Sequence, residues 1–458
     1  MEIDYLDALA NLKFEIDCFL IVLTQEGDIE NPIIYKGSGT IFQKEESAFS
    51  VKFFCEGKLD IKEVFGKINR LTPGKLIERK NYYSLKALDY AGNTWTANSI
   101  MPDVNGGIDY DSFLVTGNFT ILYRHREESY EYKGTTLKLF YKGKHKIPCN
   151  TITQSKHIIG SEDRGTSSNY NVAQFNIDNV EFEILSEDDR LIVYLFSQSE
   201  ELTKVTAQRI HEALQFVLVN ISPWDILLIQ KNNVQENIFR TVPQSLQKSR
   251  VQPPLHFNPV DRDGRVWKLF ELYLKHSFSC QDDDWHPLFV LIHKVIESGK
   301  ASIEAHALTL AVSIEGLLKL CFHEIGLPND EFMKRIKKAN DEINKGGIDE
   351  NLKSRLQGVL GSMKMPRAKD RLYCLRQSGI VEERLVKSWD NMRNSSAHSD
   401  SIDLSEIQNY LNDCSAMCVL FYQLIFYTIG YVGEYTDCSI YGFPNKKYEP
   451  GTLTSEST

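Results

Sequence analysis

Between residue 14 and about residue 196, apolar and polar positions alternate with period two, and short runs of turn residues interrupt the alternation. FLIVLTQEG, SAFSVKFFCEG, SYEYKGTTLKLFYKG and NVEFEILSEDDRLIVYLFS are rich in β-branched and aromatic residues, which pack well on a pleated surface. The last run predicts a hairpin, with EFEIL and LIVYLF flanking SEDDR. Many such strands joined by polar turns predict an antiparallel sandwich or a strongly curved sheet. An antiparallel sheet with one wet face accounts for the interleaved tyrosines and lysines. The period changes near Glu201. Residues 202–220 place Val205, Ile210, Ala213, Leu214 and Val217 at helical spacing and then run into the strand-like DILLIQ. His211 in that helix is read as a face residue without a chemical role.

The stretch QSLQKSRVQPPLHFNPVDRDG (244–264) is polar, aperiodic and proline-bearing, so it reads as the domain boundary. From Arg265 onward strands vanish from the pattern. Helices are predicted at RVWKLFELYLKHSF, WHPLFVLIHKVIES, SIEAHALTLAVSIEGLLKLCFHEIG, PNDEFMKRIKKANDEIN, ENLKSRLQGVLGSM, AKDRLYCLRQ, EERLVKSWDNMR and LSEIQNYLNDCSAMCVLFYQLIFYTIG. Asp284, Asn329 and Asp403 are the candidate caps. Eight helices without a sheet predict a bundle. The predicted fold class is α+β and multidomain. A β-rich, sandwich-like region (1–200) leads through a helix–strand extension (201–243) and the linker (244–264) to an all-α domain (265–441). A tail (442–458) is expected to fray.

A chain of 458 residues suits two or three domains, and 42% hydrophobic with 25% charged residues is ordinary for a folded protein. The net charge of -10 argues against a surface that coats nucleic acid, because such binding rests on cations neutralising phosphates. Any RNA contact must be local. Lys364, Arg367, Lys369, Arg371 and Arg376 crowd MKMPRAKDRLYCLRQ and form the candidate patch, with a solvated helix face as the alternative. Nine cysteines without a CxxC pair, mostly in apolar runs such as the one around Cys321, read as free thiols in a reducing compartment. The acidic N-terminus lacks the features of a signal peptide, so a cytoplasmic location is expected. AMCVLFYQLIFYTIGYV (416–432) is short for a membrane span and holds Gln423, so it reads as a buried or subunit-interface helix. DVNGGIDYD (103–111) does not follow the calcium-loop order, and GSGT (37–40) lacks the spacing and lysine of a phosphate loop and reads as a turn before a strand. No metal or cofactor is expected.

Chemistry concentrates in VEERLVKSWDNMRNSSAH (381–398). Val381, Leu385, Val386, Trp389 and Met392 recur at three- and four-residue intervals, which predicts an amphipathic helix. Beyond them stand Arg393, an always-charged phosphate binder; Asn394, an amide; and His398, whose ordinary pKa lies near neutrality. Spacing alone does not make this a site, because Arg250 and His256 have similar spacing in a segment that prolines keep from being helical. Five residues on a regular helix turn Arg393 and His398 about 140° apart. Both can meet one phosphate if the helix ends within residues 394–397, where asparagine and serines compete for backbone hydrogen bonds, if a second subunit contributes, or both.

RNSSAH, placed near the end of an amphipathic helix among other helices, resembles the R-x4-6-H signature of the HEPN superfamily. The resemblance implies a metal-independent endoribonuclease that acts as a homodimer. RNA supplies its own nucleophile, the 2′-hydroxyl, so His398 acts as base or acid and Arg393 holds the phosphate. Asn394 assists. Read from the residues themselves, Glu315 is a carboxylate on an otherwise apolar helix that needs a partner if buried, with Arg393 as the candidate and a solvent-facing Glu315 as the alternative, and Asp390 is a second candidate for orienting the site. A β-rich region joined to such a domain looks like the ApeA group of anti-phage nucleases. That likeness implies abortive infection by cleavage of host RNA, with tRNA as a candidate and a phage-derived trigger sensed by the N-terminal region. Two alternatives remain open: an inactive HEPN-type dimerisation or nucleotide-binding module with a protein- or glycan-binding β-domain, and the toxin of a toxin–antitoxin pair.

Overall fold

The computed structural model describes residues 2–27, 29–57, 76–105, 111–128, 132–159, 162–242, 248–258, 260, 263–280, 284–397 and 405–453. The chain forms two compact units, residues 1–207 with 221–246 and residues 208–220 with 247–458.

The first unit opens with helix α1 (Glu2–Ala10), nine residues that are too short to show a period. Strands follow in chain order: β1 (Glu15–Gln25), β2 (Ile34–Glu45), β3 (Ala48–Glu56), β4 (Tyr83–Asp89), β5 (Thr94–Asn105), β6 (Ser112–Phe119), β7 (Ile121–Glu127) and β8 (Thr135–Lys142). Then come β9 (Thr151–Ile159), β10 (Glu162–Ile177), β11 (Val180–Ser186), β12 (Arg190–Ser197), β13 (Ile226–Lys231) and β14 (Val234–Arg240). They make one antiparallel sheet in the order β4-β1-β2-β3-β6-β5-β7-β14-β13-β8-β12-β11-β10-β9, and β4 also pairs with β5. Six strands therefore close into a barrel, from which the sheet continues through β7. The predicted hairpin is β11–β12.

A closed barrel with a continuing sheet fits the expectation of a strongly curved sheet and replaces that of a sandwich, and the reason is local. In β1, Cys18 faces Gly39 and Ile21 faces Gly37, so one extra residue on β1 forms a bulge and bends the strand. GSGT is accordingly not a turn, since it lies inside β2. A Cβ on Gly37 would overlap the Phe54 carbonyl oxygen, and one on Gly39 would overlap the Lys52 carbonyl oxygen. These glycines let β3 approach closely, which is a recurrent use of glycine within strands. Ile21, Leu23, Ile41, Phe49, Val51, Phe53, Trp95 and Val115 fill the interior. Gly39→Ala is expected to cost about 3 kcal/mol, the upper part of the usual range for overpacking. Hydrogen exchange in mild urea reads this as earlier opening of β2 and β3, and unchanged protection there would sink the account.

The second unit takes residues 208–220 of helix α2 (Lys204–Leu218) and its following turn, which the sequence pattern assigns to the N-terminal region. His211 is buried there with its ring against Phe289, not on an open face. Among the described residues eight further helices follow: α3 (Arg265–Ser277), α4 (Pro287–Ser298), α5 (Ile303–Cys321), α6 (Asp330–Lys345), α7 (Glu350–Ser362), α8 (Ala368–Gln377), α9 (Glu383–Ala397) and α10 (Ile407–Thr428). Asn329 caps α6 as predicted, its side chain accepting from the Phe332 N–H. At α4 the cap is His286, with Pro287 next, instead of Asp284. Asp403 lies outside the described residues, and α10 starts after Glu406.

Helices α5, α9 and α10 pack on one another, and Leu310, Ile314 and Leu317, Leu385 and Trp389, and Leu420, Phe421 and Leu424 are buried on them. The apolar 416–426 run of α10 is thereby buried within its own chain, which removes it as a subunit interface. Two strands overturn the expectation of an all-α region with a frayed tail: β15 (Gly433–Thr436) pairs with β16 (Asn445–Tyr448). Four-residue strands are too short to show a period. Tyr448 is buried against Phe426, and its hydroxyl lies within hydrogen-bond reach of two acceptors, the Ile380 carbonyl oxygen at 3.2 Å and the Gln423 carbonyl oxygen at 3.1 Å. Among the described residues, no helix is long and apolar enough to cross a membrane.

Candidate functional site

Helix α9 carries the site. Its predicted apolar residues Leu385, Val386, Trp389 and Met392, with Val381 just before it, are all buried. Several polar positions between them meet neighbouring elements. At the root, Glu382 accepts from the Tyr435 hydroxyl at 2.7 Å and pairs with Arg384 at 2.7 Å. Arg384 also donates to the Ser439 hydroxyl at 2.7 Å and bonds to Asp437. Asp437 is fully buried and takes Lys446 at 2.9 Å. Burial alone would push the Asp437 carboxyl up, yet hydrogen bonds from Ser439 and Lys446 and the charges of Arg384 and Lys446 hold it below its ordinary value. The β15–β16 hairpin is thus fastened to the start of α9.

Farther along α9, the Ser388 hydroxyl donates to Asp413 of α10 at 2.6 Å, and Lys369 of α8 pairs with Asp390 at 2.6 Å. Arg393 Nε donates to Glu315 Oε1 of α5 at 2.6 Å. One turn earlier the Trp389 ring lies beneath the Arg393 guanidinium, 5.8 Å from ring centroid to carbon, a cation–π arrangement. The Arg393 side chain is nonetheless 54% exposed, against 28% for Glu315. A guanidinium aimed by a carboxylate and an indole while keeping an open side can hold a phosphate without first ordering itself.

Of the residues predicted from sequence, Glu315 and Arg393 are brought together, and Asp390 is engaged by Lys369 instead of by Arg393. The backbone stays helical through Ala397, so the chain does not leave the helix at Asn394 or at the serines. The Asn394 side chain and all of His398 lie outside the described residues. The basic patch needs correction. Arg371 is buried, with its guanidinium on the His323 carbonyl oxygen, so it cannot belong to an exposed RNA-contacting surface. Arg367 is held by Asp370 at 3.1 Å and Lys369 by Asp390, while Lys364 is exposed. Arg250 and His256 sit in a non-helical segment, where His256 meets Gln252 at 3.1 Å and burial lowers its pKa.

Sequence reasoning missed Trp389 as a seat for Arg393 and Lys369 as the partner of Asp390. Its own pattern held the first signal, because Trp389 stands four residues before Arg393, one helical turn. No protein-family model matches the chain, and no curated protein or solved structure matches it either.

Proposed function

We propose that the chain is a metal-independent endoribonuclease of the HEPN type, with Arg393 as its phosphate binder and His398 as its acid–base group. The observation that carries this reading is the Arg393 side chain, oriented by Glu315 and Trp389 and still half exposed near the end of α9. In this reading the 2′-hydroxyl attacks the adjacent phosphorus while one His398 accepts its proton. A second His398, from a partner subunit, protonates the leaving 5′-oxygen. The products are a 2′,3′-cyclic phosphate and a 5′-hydroxyl. Arg393 stabilises the added charge of the pentavalent state, and Asn394 assists.

Two features support a homodimer. The α9 backbone remains helical through Ala397, so the regular turn that separates Arg393 from the position of His398 is kept almost to that residue. Leu308 and Val312, 49% and 60% exposed, fall on the same face of α5 as Glu315, which leaves open apolar surface on the face that holds Arg393. Role and setting belong to the same proposal: cleavage of host RNA, with tRNA as a candidate, in cytoplasmic anti-phage defence by abortive infection of the ApeA kind. The β-rich unit would sense a phage-derived trigger. The Glu315–Arg393 ion pair also favours a second reading, in which Arg393 serves structure alone and the helical unit is an inactive dimerisation module.

Expression of the chain in cells, with and without phage challenge, followed by sequencing of RNA ends, separates the two. The nuclease reading expects new 5′-hydroxyl ends that chelators do not suppress, no cleavage of DNA, and partial recovery when inactive Arg393→Ala and His398→Ala subunits are mixed. Absence of new ends under every condition would leave the inactive module standing, and equal cleavage of DNA would overturn attack by the 2′-hydroxyl.

A further inference from the structure

Of the nine cysteines, three come together. Cys414 and Cys418 sit one turn apart on α10, and Cys438 follows β15 by two residues. All three line a cavity of about 120 Å³ in the helical unit, with Arg250, Ser302 and His306 also on its wall. The Cys418 thiol hydrogen-bonds to Cys438, and Cys438 Sγ lies 3.8 Å from the Ser415 carbonyl oxygen, which seats it over the same turn of α10. Among the described residues, no three His, Cys, Asp or Glu side chains are placed to hold a metal ion.

We propose that Cys418 and Cys438 are a peroxide-oxidisable pair that closes to a disulfide through a sulfenic acid on Cys438. The cavity has room for hydrogen peroxide, since a water occupies only about 30 Å³ of the liquid. The hydrogen bond and burial both keep the proton on Cys418, and burial pushes the Cys414 thiol up to about 12. In this proposal Cys438, whose sulfur stands on the cavity wall over the turn of α10 at Ser415, is the first nucleophile. Its sulfur attacks one peroxide oxygen, the O–O bond breaks, and the departing hydroxide leaves as water with the Cys438 proton. The Cys418 sulfur then attacks the sulfenic sulfur, the S–S bond forms, and the displaced hydroxide leaves with the Cys418 proton as a second water. Two thiols lose two electrons, and one hydrogen peroxide becomes two waters. The disulfide would tie the residue after Asp437 to α10, and so fix the segment that grips Arg384 at the root of α9.

This inference stands whether or not the chain cuts RNA. Its test is intact-mass and peptide analysis of the full chain after exposure to one equivalent of hydrogen peroxide. The expected result is a loss of about 2 Da that dithiothreitol reverses, with a peptide pair joining Cys418 to Cys438. Cys414→Ser should keep that loss, while Cys418→Ser and Cys438→Ser should abolish it. Should either variant fold poorly, the wild-type peptide map decides alone. No mass loss, a bridge from Cys414, or a gain of oxygen atoms without a bridge would overturn the proposal.

Discussion

On the proposed nuclease reading, Arg393→Ala should lower RNA cleavage by about a hundred- to a thousand-fold, the effect of removing one charged group that stabilises a transition state. The fold should barely change. An ion pair with one side chain 54% exposed contributes at most about 1 kcal/mol after solvent screening. Arg393→Lys keeps the charge but not the planar fork that grips a phosphate through two parallel bonds, so it should recover little activity. Glu315→Ala separates aiming from chemistry. It leaves the guanidinium present but unaimed, so it should reduce turnover less than Arg393→Ala does. Cleavage kinetics on a short RNA, set beside thermal unfolding of the same variants, measure both quantities. Equal losses of stability and activity in Arg393→Ala would return the residue to a structural role.

The second large effect lies in α2. Arg209 and Glu212 are fully buried and 2.7 Å apart. Arg209 also donates to the Cys280 and Asp284 carbonyl oxygens, at 3.3 and 3.0 Å, and Glu212 accepts from the His286 N–H at 3.2 Å. Burial raises the Glu212 pKa, while the charge of Arg209 and hydrogen bonds from Gln208, His286 and Arg209 oppose the rise. Arg209→Met removes the opposing charge and strands a buried carboxylate, at a cost of about 3–5 kcal/mol. The sign with pH follows from linkage. A carboxyl whose folded pKa is raised favours the fold at low pH and loses that contribution as pH climbs through the raised value, so the deficit should shrink on acidification. His276, His286 and His293 run the other way. Burial lowers their pKa values, that of His286 to about 4, so each favours the fold above the ordinary value of 6.5 and loses that as pH falls. Arg209 also helps to lower the His286 pKa, so the comparison that isolates Glu212 is between Arg209→Met and the same variant with Glu212→Met, both of which lack that charge. Arg209→Met with Glu212→Met should restore most of the loss. A double variant no more stable than the single one would refute the pairing account.

The fold was legible wherever a run was long enough to repeat its period. AKDRLYCLRQ is a helix from its first residue to its last, and the stripe from Val381 to Met392 is buried at each named position. Four-residue strands such as GEYT and NKKY give no such repeat. Barrel closure was hidden for a different reason. The features that curl the sheet, a bulge at Cys18–Ile21 and two glycines in β2, look like breaks when read along one strand. In the site, the pairing of Glu315 with Arg393 followed from a carboxylate on an apolar helix that needed a partner. The basic patch misled because charge was read without phase. Arg371 adjoins Leu372 and stands one turn before Leu375, both buried, so it occupies the inward side of α8. An apolar run also cannot say whose surface covers it, which is why α10 was open to a second subunit until its own chain was seen to enclose it.

The division at residues 207, 221 and 247 limits how such a gene can change. A polypeptide that began after the linker would lack Arg209, Glu212 and Phe216, three side chains buried in the helical unit. One that stopped at residue 207 would lack β13 and β14, the strands that join β7 to β8. No single cut yields two whole parts. Recombination that exchanges one unit for a relative's must cross over twice more, on either side of thirteen residues. A ribosome likewise releases those thirteen residues before either unit has all of its chain. The two halves are therefore bound to be inherited, and synthesised, as an interleaved pair.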